Sequence, residues 1–197
     1  MKYKSNFAKQ LFKKIFRFLF KIIYGKVVYN NNNLKSKKIK VSELSSEKIK
    51  NFFEKKYKIY KKTDGRIYTD TVESVAIING NNIIDDISYQ QIAGDLVPAS
   101  KNIALENGTP RIKKKIKGRV LSLAQGASGH NNYSHWLFDM LPKIKLYSEI
   151  YSLDELNFLY LNKLINYQTE SLRLIGWDKL NVINSEKYRH IQADEII

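Results

Sequence analysis

The chain contains no cysteine among its 197 residues. Disulfide bonds, thiolate catalysis and cysteine-ligated zinc are therefore excluded, an absence that is typical of a reducing compartment. Histidine is scarce too, because only three are present, and two of them, His130 and His135, fall in one short segment. Acidic side chains are scarce in residues 1–62, which hold 19 Lys and Arg but only three Asp and Glu. The formal net charge of +15 therefore comes from this region, since the rest is nearly neutral.

Residues 7–24 are predicted to form a helix that combines large apolar side chains with basic ones. Its four central cations make a membrane span unfavourable, and no small-residue cleavage site follows it to indicate a secretory signal. The pattern is typical of a helix lying on an anionic membrane surface. The alternative is a helix that packs its apolar side on the protein body and leaves its lysines in solvent. We predict the membrane surface, which implies a cytoplasmic protein held peripherally at the inner face of the cell membrane.

Shifts in composition predict four segments. Residues 1–29 contain the basic amphipathic helix, and residues 30–63 a polar linker followed by a short helix capped by Ser45. Residues 64–117 are β-rich, and residues 118–197 form an α/β domain.

In the β-rich segment, residues 66–70, 73–79 and 82–88 have the alternation and β-branched content of strands. The Asn79-Gly80-Asn81 turn is predicted to join the last two strands as a hairpin. The basic run that follows Pro110 could contact a phosphate, although such a run more often forms a solvated face.

From Gly118 the chain alternates between strand and helix patterns. Strands are predicted at residues 118–124, 157–162, 179–184 and 193–197, and helices at 133–150 and 166–177. This order indicates a parallel sheet with right-handed crossovers. Such sheets bind ligands at the carboxyl ends of their strands, which is where the segment GASGHNNYSHWLFDMLP of residues 126–142 falls.

This segment can be compared with the sequence motifs of several kinds of functional site. Gly126-Ala127-Ser128-Gly129 is one residue short of the G-x-S-x-G elbow that a serine hydrolase needs. No Gly-Lys-Ser/Thr is present for a phosphate-binding P-loop, and the two glycines are only a partial match to a dinucleotide-binding loop.

His135 and Asp139 are four residues apart, so they share one face of the predicted helix. With His130 they could supply three metal ligands, but no further concentrated Asp, Glu or His set completes a metal shell, and we predict no metal site. A His–carboxylate pair can also hold an imidazole ready to accept a hydroxyl proton. The structural alternative is a capping or core histidine beside a solvated acid. The apolar neighbours Trp136, Leu137, Phe138, Met140 and Leu141 are predicted to belong to the core, and Pro142 to kink or restart the helix.

Residues 132–142, NYSHWLFDMLP, resemble the N-Y-x-H-W-x-x-D-x-L-P signature of glycosyltransferase family 61, whose bacterial members are known as capsular polysaccharide biosynthesis proteins. Further segments resemble that family in the same order, and the resemblance covers about residues 64–197. These segments are Gly65–Asp70, Ser74–Ile78, Leu174–Trp177 and His190–Glu195.

The resemblance implies a Rossmann-like parallel sheet, the N-terminal half of a GT-B glycosyltransferase. It implies inverting transfer from a nucleotide sugar to a glycan or lipid-linked acceptor in surface polysaccharide biosynthesis, with no required metal or cofactor. His135 and Asp139 become the catalytic residues, one acting as or supporting the general base. Asn132 and Tyr133 shape the start of the helix and contact substrate. We assign Gly129 and His130 to substrate binding as well. The family's donor-binding domain would follow Ile197, which implies an N-terminal part that is inactive alone.

A second hypothesis is a basic module that binds nucleic acid or another polyanion without catalysis. The neutral body and the lack of a nucleic-acid-binding motif argue against it, so no nucleic-acid partner is predicted.

Overall fold

The computed structural model describes residues 2–30, 38–45, 56–69, 73–92, 94–124 and 132–197. The predicted N-terminal helix is present as α1 (Lys2–Tyr24). Among the large apolar side chains described at residues 9–24 of this helix, Phe20 alone is buried, and most of the others are exposed. The helix is attached to the body by its last turn, where Tyr24 lies edge-on to His190 with 5.0 Å between the ring centres. The alternative in which α1 packs its apolar side on the described body is therefore wrong.

The strands of the first half form the part of one sheet in which all described pairings but one are antiparallel. They are β1 (Val28–Tyr29), β2 (Ile39–Ser45), β3 (Lys56–Tyr68), β4 (Ser74–Asn79), β5 (Asn82–Ile83), β6 (Tyr89–Ile92) and β7 (Asp95–Pro98). β3 pairs with β2 along its first half and with β4 at its last three residues. The predicted hairpin is confirmed, since β4 and β5 pair across the turn. A short helix, α2 (Ile103–Asn107), follows β7.

The second half contains the predicted alternation of strands and helices. Its elements are β8 (Lys114–Ser122), α3 (Tyr133–His135), a π-helical turn (Trp136–Met140), α4 (Leu141–Ile150), β9 (Phe158–Leu161), α5 (Asn166–Leu174), β10 (Asn181–Asn184) and β11 (His190–Ile196). β11, β8, β9 and β10 are adjacent in this order and parallel to one another, as the alternation predicts.

The predicted fold class, a Rossmann-like parallel sheet of the GT-B type, is wrong. The 11 described strands form one mixed sheet in which most pairings are antiparallel. The cause is β3, which pairs antiparallel with the outer edge of β11 from Tyr68 to Lys62 and so joins the two halves. An all-parallel sheet would have only parallel neighbours at that position.

Two smaller predictions are also wrong. The short helix predicted for residues 45–60 is replaced at its end by β3, and residues 46–55 lie outside the described part of the chain. The strand predicted for residues 82–88 ends at Ile83, because Asp85–Ile87 form a 3-10 turn.

Apolar side chains form a core on each side of the parallel strands. One cluster packs α4 and α5 against β8 and β9, and it contains Trp136, Met140, Ile144, Tyr147, Leu159, Leu172 and Trp177. Another lies along β3, β4 and β11 and contains Ile67, Ile77, Val120, Ile191 and Ala193. These clusters fix the start of the helix that carries the predicted catalytic residues.

Candidate functional site

The candidate site lies beyond the carboxyl end of β8, where α3 begins. Asn132 is the N-cap residue of α3, and its Oδ1 accepts a hydrogen bond from the backbone N–H of His135 at 3.3 Å. An Asn side chain is a preferred cap because it satisfies one of the N–H groups left free in the first turn. The structure therefore gives Asn132 a definite local role in positioning His135.

The helix continues from α3 into α4 through the π-helical turn. The backbone N–H of Leu141 donates to the carbonyl of Trp136, five residues back, instead of four. Pro142 follows at the start of α4, and a proline has no N–H to donate to the carbonyl four residues earlier. The wider turn accommodates this lost hydrogen bond, so the helix is not broken there. Turns of this kind are frequent at functional sites.

His135 and Asp139 are brought together on this helix. His135 Nδ1 lies 2.6 Å from Asp139 Oδ2, and both side chains are a little over 40% exposed. An ionised carboxylate can only accept, so Nδ1 is the donor in this hydrogen bond. In the neutral ring, Nε2 then carries the lone pair. The pair therefore has the arrangement of a general base oriented by an acid.

Lys143 extends the row by one more helical turn. Burial lowers the pKa of its ammonium group to about 8, although the charge of Asp139 opposes this shift. A lysine in this state can act as a proton carrier or as a cation close to neutral pH. Lys143 also lines a cavity of about 560 Å³, whereas His135 and Asp139 are not among the residues that line it.

This cavity lies between α4, the end of β8 and the segment that follows β5. Both charged and apolar side chains line it; the charged residues are Lys58, Lys62, Lys143, Asp85 and Asp86. The hydroxyl of Tyr60 donates to Asp86, whereas the buried hydroxyl of Tyr89 has no hydrogen-bond partner in the part of the chain that is described. Such a mixture suits a ligand with an apolar body and several polar groups.

Two exposed aromatic residues lie close to the pair in the sequence. Tyr133 is more than half exposed and lies edge-on to Tyr167, with 5.0 Å between ring centres. Phe138 is 75% exposed, so its predicted place in the core is wrong. Trp136 and Met140 are fully buried, as predicted, and Leu137 and Leu141 pack partly against the same cluster.

Gly129 and His130, the other predicted substrate-binding residues, lie in the segment 125–131 outside the described residues. The alternative of a metal site requires His130, so it too depends on a residue outside the described part of the chain. Within the described ranges, no group of three or more Asp, Glu and His side chains is arranged to hold a metal ion.

Lys143 is the functional candidate that the sequence prediction missed. Its signal was present, because His135, Asp139 and Lys143 repeat at four-residue intervals. The cavity residues of β3 had no comparable signal, since pairing between β3 and β11 brings distant parts of the chain together.

Comparison with known proteins identifies no relative of this chain. No protein-family model matches the chain, and no significant similarity is found to a curated protein or to a solved structure.

Proposed function

We propose that this chain belongs to a glycosyltransferase that transfers a sugar from a nucleotide sugar to a glycan or lipid-linked acceptor in surface polysaccharide biosynthesis. The observation that carries the proposal is the 2.6 Å contact between His135 Nδ1 and Asp139 Oδ2 on the helix whose residues resemble family 61. Asp139 orients the imidazole, and Nε2 of His135 removes the proton of the acceptor hydroxyl as that oxygen attacks the anomeric carbon. The bond from the anomeric carbon to the diphosphate oxygen breaks in the same step, and the nucleoside diphosphate leaves. Inversion at that carbon follows from a single displacement.

The surroundings of the pair support a sugar acceptor. Tyr133 and Phe138, which are close to the pair in the sequence, present exposed rings, and an aromatic face can pack against the C–H face of a sugar ring. Lys143 provides a cation beside Asp139. A positive group in such a position stabilises the charge that develops on a departing diphosphate.

We also propose that α1 holds the protein on an anionic membrane surface. Among the described residues, no helix has the length and apolar character needed to cross a bilayer. The exposed apolar side chains of α1 are Leu11, Phe12, Ile15, Phe16, Phe18, Leu19, Ile22 and Ile23. Lys13, Lys14, Arg17 and Lys21 alternate with them along the helix. Apolar area together with adjacent positive charge favours the interface of an anionic leaflet.

A transfer assay tests the catalytic proposal. Membranes from the protein's native host, in which the donor-binding domain that the resemblance implies would also be present, are supplied with radiolabelled nucleotide sugars, and incorporation into glycan or lipid-linked product is measured. His135→Gln and Asp139→Asn are expected to lower the rate about 100-fold or more, the usual contribution of a positioned acid–base group.

The matched control is Glu149→Gln, which removes a carboxylate from another i,i+4 pair on the same helix, that of Lys145 and Glu149. Unchanged rates in the His135 and Asp139 variants would remove both residues from the mechanism. If no donor labels a product above membranes without the protein, the transferase proposal is wrong. A chelator is expected to leave transfer unchanged, and a large loss would favour a metal-dependent mechanism.

A further inference from the structure

A second cavity, which shares Lys62 with the cavity that Lys143 lines, lies where the last turn of α1 meets the sheet. It has a volume of about 560 Å³ and is bordered by Ile23 and Tyr24, by β3 and by the turn between β4 and β5. Four cationic side chains line it, Lys38, Lys62, Arg66 and Lys113, against one carboxylate, Asp64. We call this group of residues the cationic pocket. Its net charge is +3 when all five groups are ionised.

Two of the cations are almost completely buried. Lys62 is 1% exposed and Arg66 is 5% exposed. Burying a cation is costly unless an anion or a full set of hydrogen bonds compensates for the lost water. Among the described residues, neither Lys62 nor Arg66 nor Lys113 forms an ion pair.

The contacts that these cations make are with neutral groups. Arg66 donates to the carbonyl of Gly80 at 2.6 Å and to Oδ1 of Asn81 at 3.0 Å, and more weakly to the carbonyl of Tyr24. These bonds give Arg66 a structural role, because they hold the β4–β5 turn against the end of α1. Its buried Nε has no partner among the described residues.

The ammonium groups of Lys62 and Lys113 also donate to neutral acceptors. Lys113 Nζ donates to Oε1 of Gln192, whose amide in turn donates to Asp64. Lys62 Nζ donates to the carbonyl of Thr63. No negatively charged atom therefore contacts any of these three cations within the described part of the chain, and Asp64 acts on them only through its field.

The pKa values of three cations in the pocket are shifted in the same direction. Burial is the main cause that lowers the pKa of Lys62, Arg66 and Lys113. Neighbouring positive charges lower the pKa further, that of Lys38 acting on Lys62 and that of Arg66 on Lys113. The charged forms are thus disfavoured in the pocket as it stands, and a bound anion would favour them.

We infer that the cationic pocket is a binding site for a phosphate-type anion, either a phosphomonoester or a diphosphate group. A guanidinium fork and converging ammonium groups match the several oxygens and multiple charge of such a group. The pocket borders the last turn of α1, so a lipid headgroup in the membrane surface and a soluble phosphate compound are two sources of the same chemistry. The inference rests on no part of the transferase proposal, since it uses neither His135 nor Asp139.

Binding of inorganic pyrophosphate to the full chain tests the site. We expect saturable binding, measured by titration calorimetry at fixed ionic strength. Lys113→Gln and Lys38→Gln are each expected to weaken it about tenfold, and the double variant about 100-fold. Lys179→Gln is the matched control, because it removes the same charge from an exposed residue outside the pocket, and it is expected to leave the affinity unchanged.

Arg66 is avoided in this series because its bonds to the β4–β5 turn make it part of the fold. Equal affinity in the pocket variants and the control would overturn the site, and so would binding to an oligonucleotide but not to pyrophosphate. Failure here leaves the transfer assay unaffected, so the two proposals fail separately.

A binding experiment with lipid vesicles distinguishes a lipid headgroup from a soluble phosphate compound as the source of the phosphate. Vesicles are prepared with phosphatidic acid, which has a phosphomonoester headgroup, or with phosphatidylglycerol at equal surface charge. If Lys113→Gln weakens binding to pyrophosphate and to phosphatidic acid vesicles, the site and a lipid source are supported. If it weakens only pyrophosphate binding, the site and a soluble ligand are supported.

Discussion

The helix α1 and the helix that runs from α3 into α4 look alike in sequence but differ in what covers their apolar side chains. Both mix large apolar residues with basic ones. Trp136 and Met140 of the second helix are fully buried, whereas Phe18 and Ile22 of α1 are about two-thirds exposed. A periodic pattern therefore predicts that an apolar face exists. Whether protein, membrane or solvent covers that face depends on the rest of the fold.

The largest expected effect comes from removing a buried ring of the second helix. Trp136→Ala is expected to lower the free energy of unfolding by about 3–5 kcal/mol, because it leaves a cavity in the cluster around Leu159 and Trp177. Phe18→Ala on α1 is expected to change it by less than about 0.5 kcal/mol. Urea unfolding of both variants measures the difference. Similar losses would show that α1 is as well packed as the second helix.

The second prediction concerns what covers α1. The triple variant Ile15→Ser, Phe18→Ser and Ile22→Ser is expected to weaken binding to anionic vesicles about 100-fold or more, since each side chain contributes about 1.5–3 kcal/mol when buried. Vesicle co-sedimentation measures this loss. The control removes three exposed apolar side chains elsewhere, Ile92, Ile112 and Leu174. Equal loss in both variants would contradict a membrane role for α1.

A third, smaller effect is expected at the point where α1 joins the body. His190 is fully buried between Tyr24 and Tyr68, and its Nδ1 donates to the carbonyl of Arg111 at 3.1 Å. Burial lowers the pKa of His190 to about 4 in the folded protein, with Arg66 and Lys113 acting in the same direction. The ordinary pKa of about 6.5 applies to the unfolded chain.

Between these two pKa values the unfolded state binds more protons, so stability falls as the pH falls from about 6.5 to about 4. From this group alone, the free energy of unfolding is expected to be about 2 kcal/mol lower at pH 5 than at pH 7.5. Urea unfolding at both pH values checks this, with His190→Gln as the control that lacks the titrating group. An equal pH dependence in the variant would mean that His190 does not cause it.

The smallest effect is expected at the His135–Asp139 pair. Both side chains are a little over 40% exposed, and exposed pairs on a helix contribute about 0.5 kcal/mol or less. Asp139→Asn is therefore expected to leave the thermal midpoint almost unchanged, as Glu149→Gln also should. A large drop in the Asp139 variant alone would assign the pair a structural role and weaken its assignment to catalysis.

The sequence predicts local features of this protein better than long-range ones. The helix spacing that places His135 beside Asp139, the turn at Gly80 and the alternation after Gly118 all depend on residues close together in the chain. Pairing of Tyr68 with His190 joins residues more than 120 positions apart, and no local pattern indicates it. The fold class was wrong for this reason. The sequence raised a phosphate contact for the basic run that contains Lys113, but it did not indicate the cationic pocket, since Lys38, Arg66 and Lys113 meet only through the sheet.

Some local errors have a different cause. Residues 56–60 have a composition compatible with both helix and strand, and pairing with β2 decides between them. Phe138 is apolar and lies among core residues in the sequence, yet its position on the turn directs it to solvent. Hydrophobicity by itself therefore cannot separate a core side chain from one that borders a site.

The π-helical turn also constrains how the chain can change in length. Such a turn corresponds to an α-helix with one residue inserted. Deleting one residue between Trp136 and Met140 would restore a regular α-helix and keep the residues that follow close to their present orientation, because the wider turn already absorbs the extra residue. Ile144 and Tyr147, now buried, would keep their places in the core, whereas His135 and the residues after the deletion would each be one position closer in the chain. A single deletion in this segment should therefore disturb the His135–Asp139 pair more than it disturbs the core.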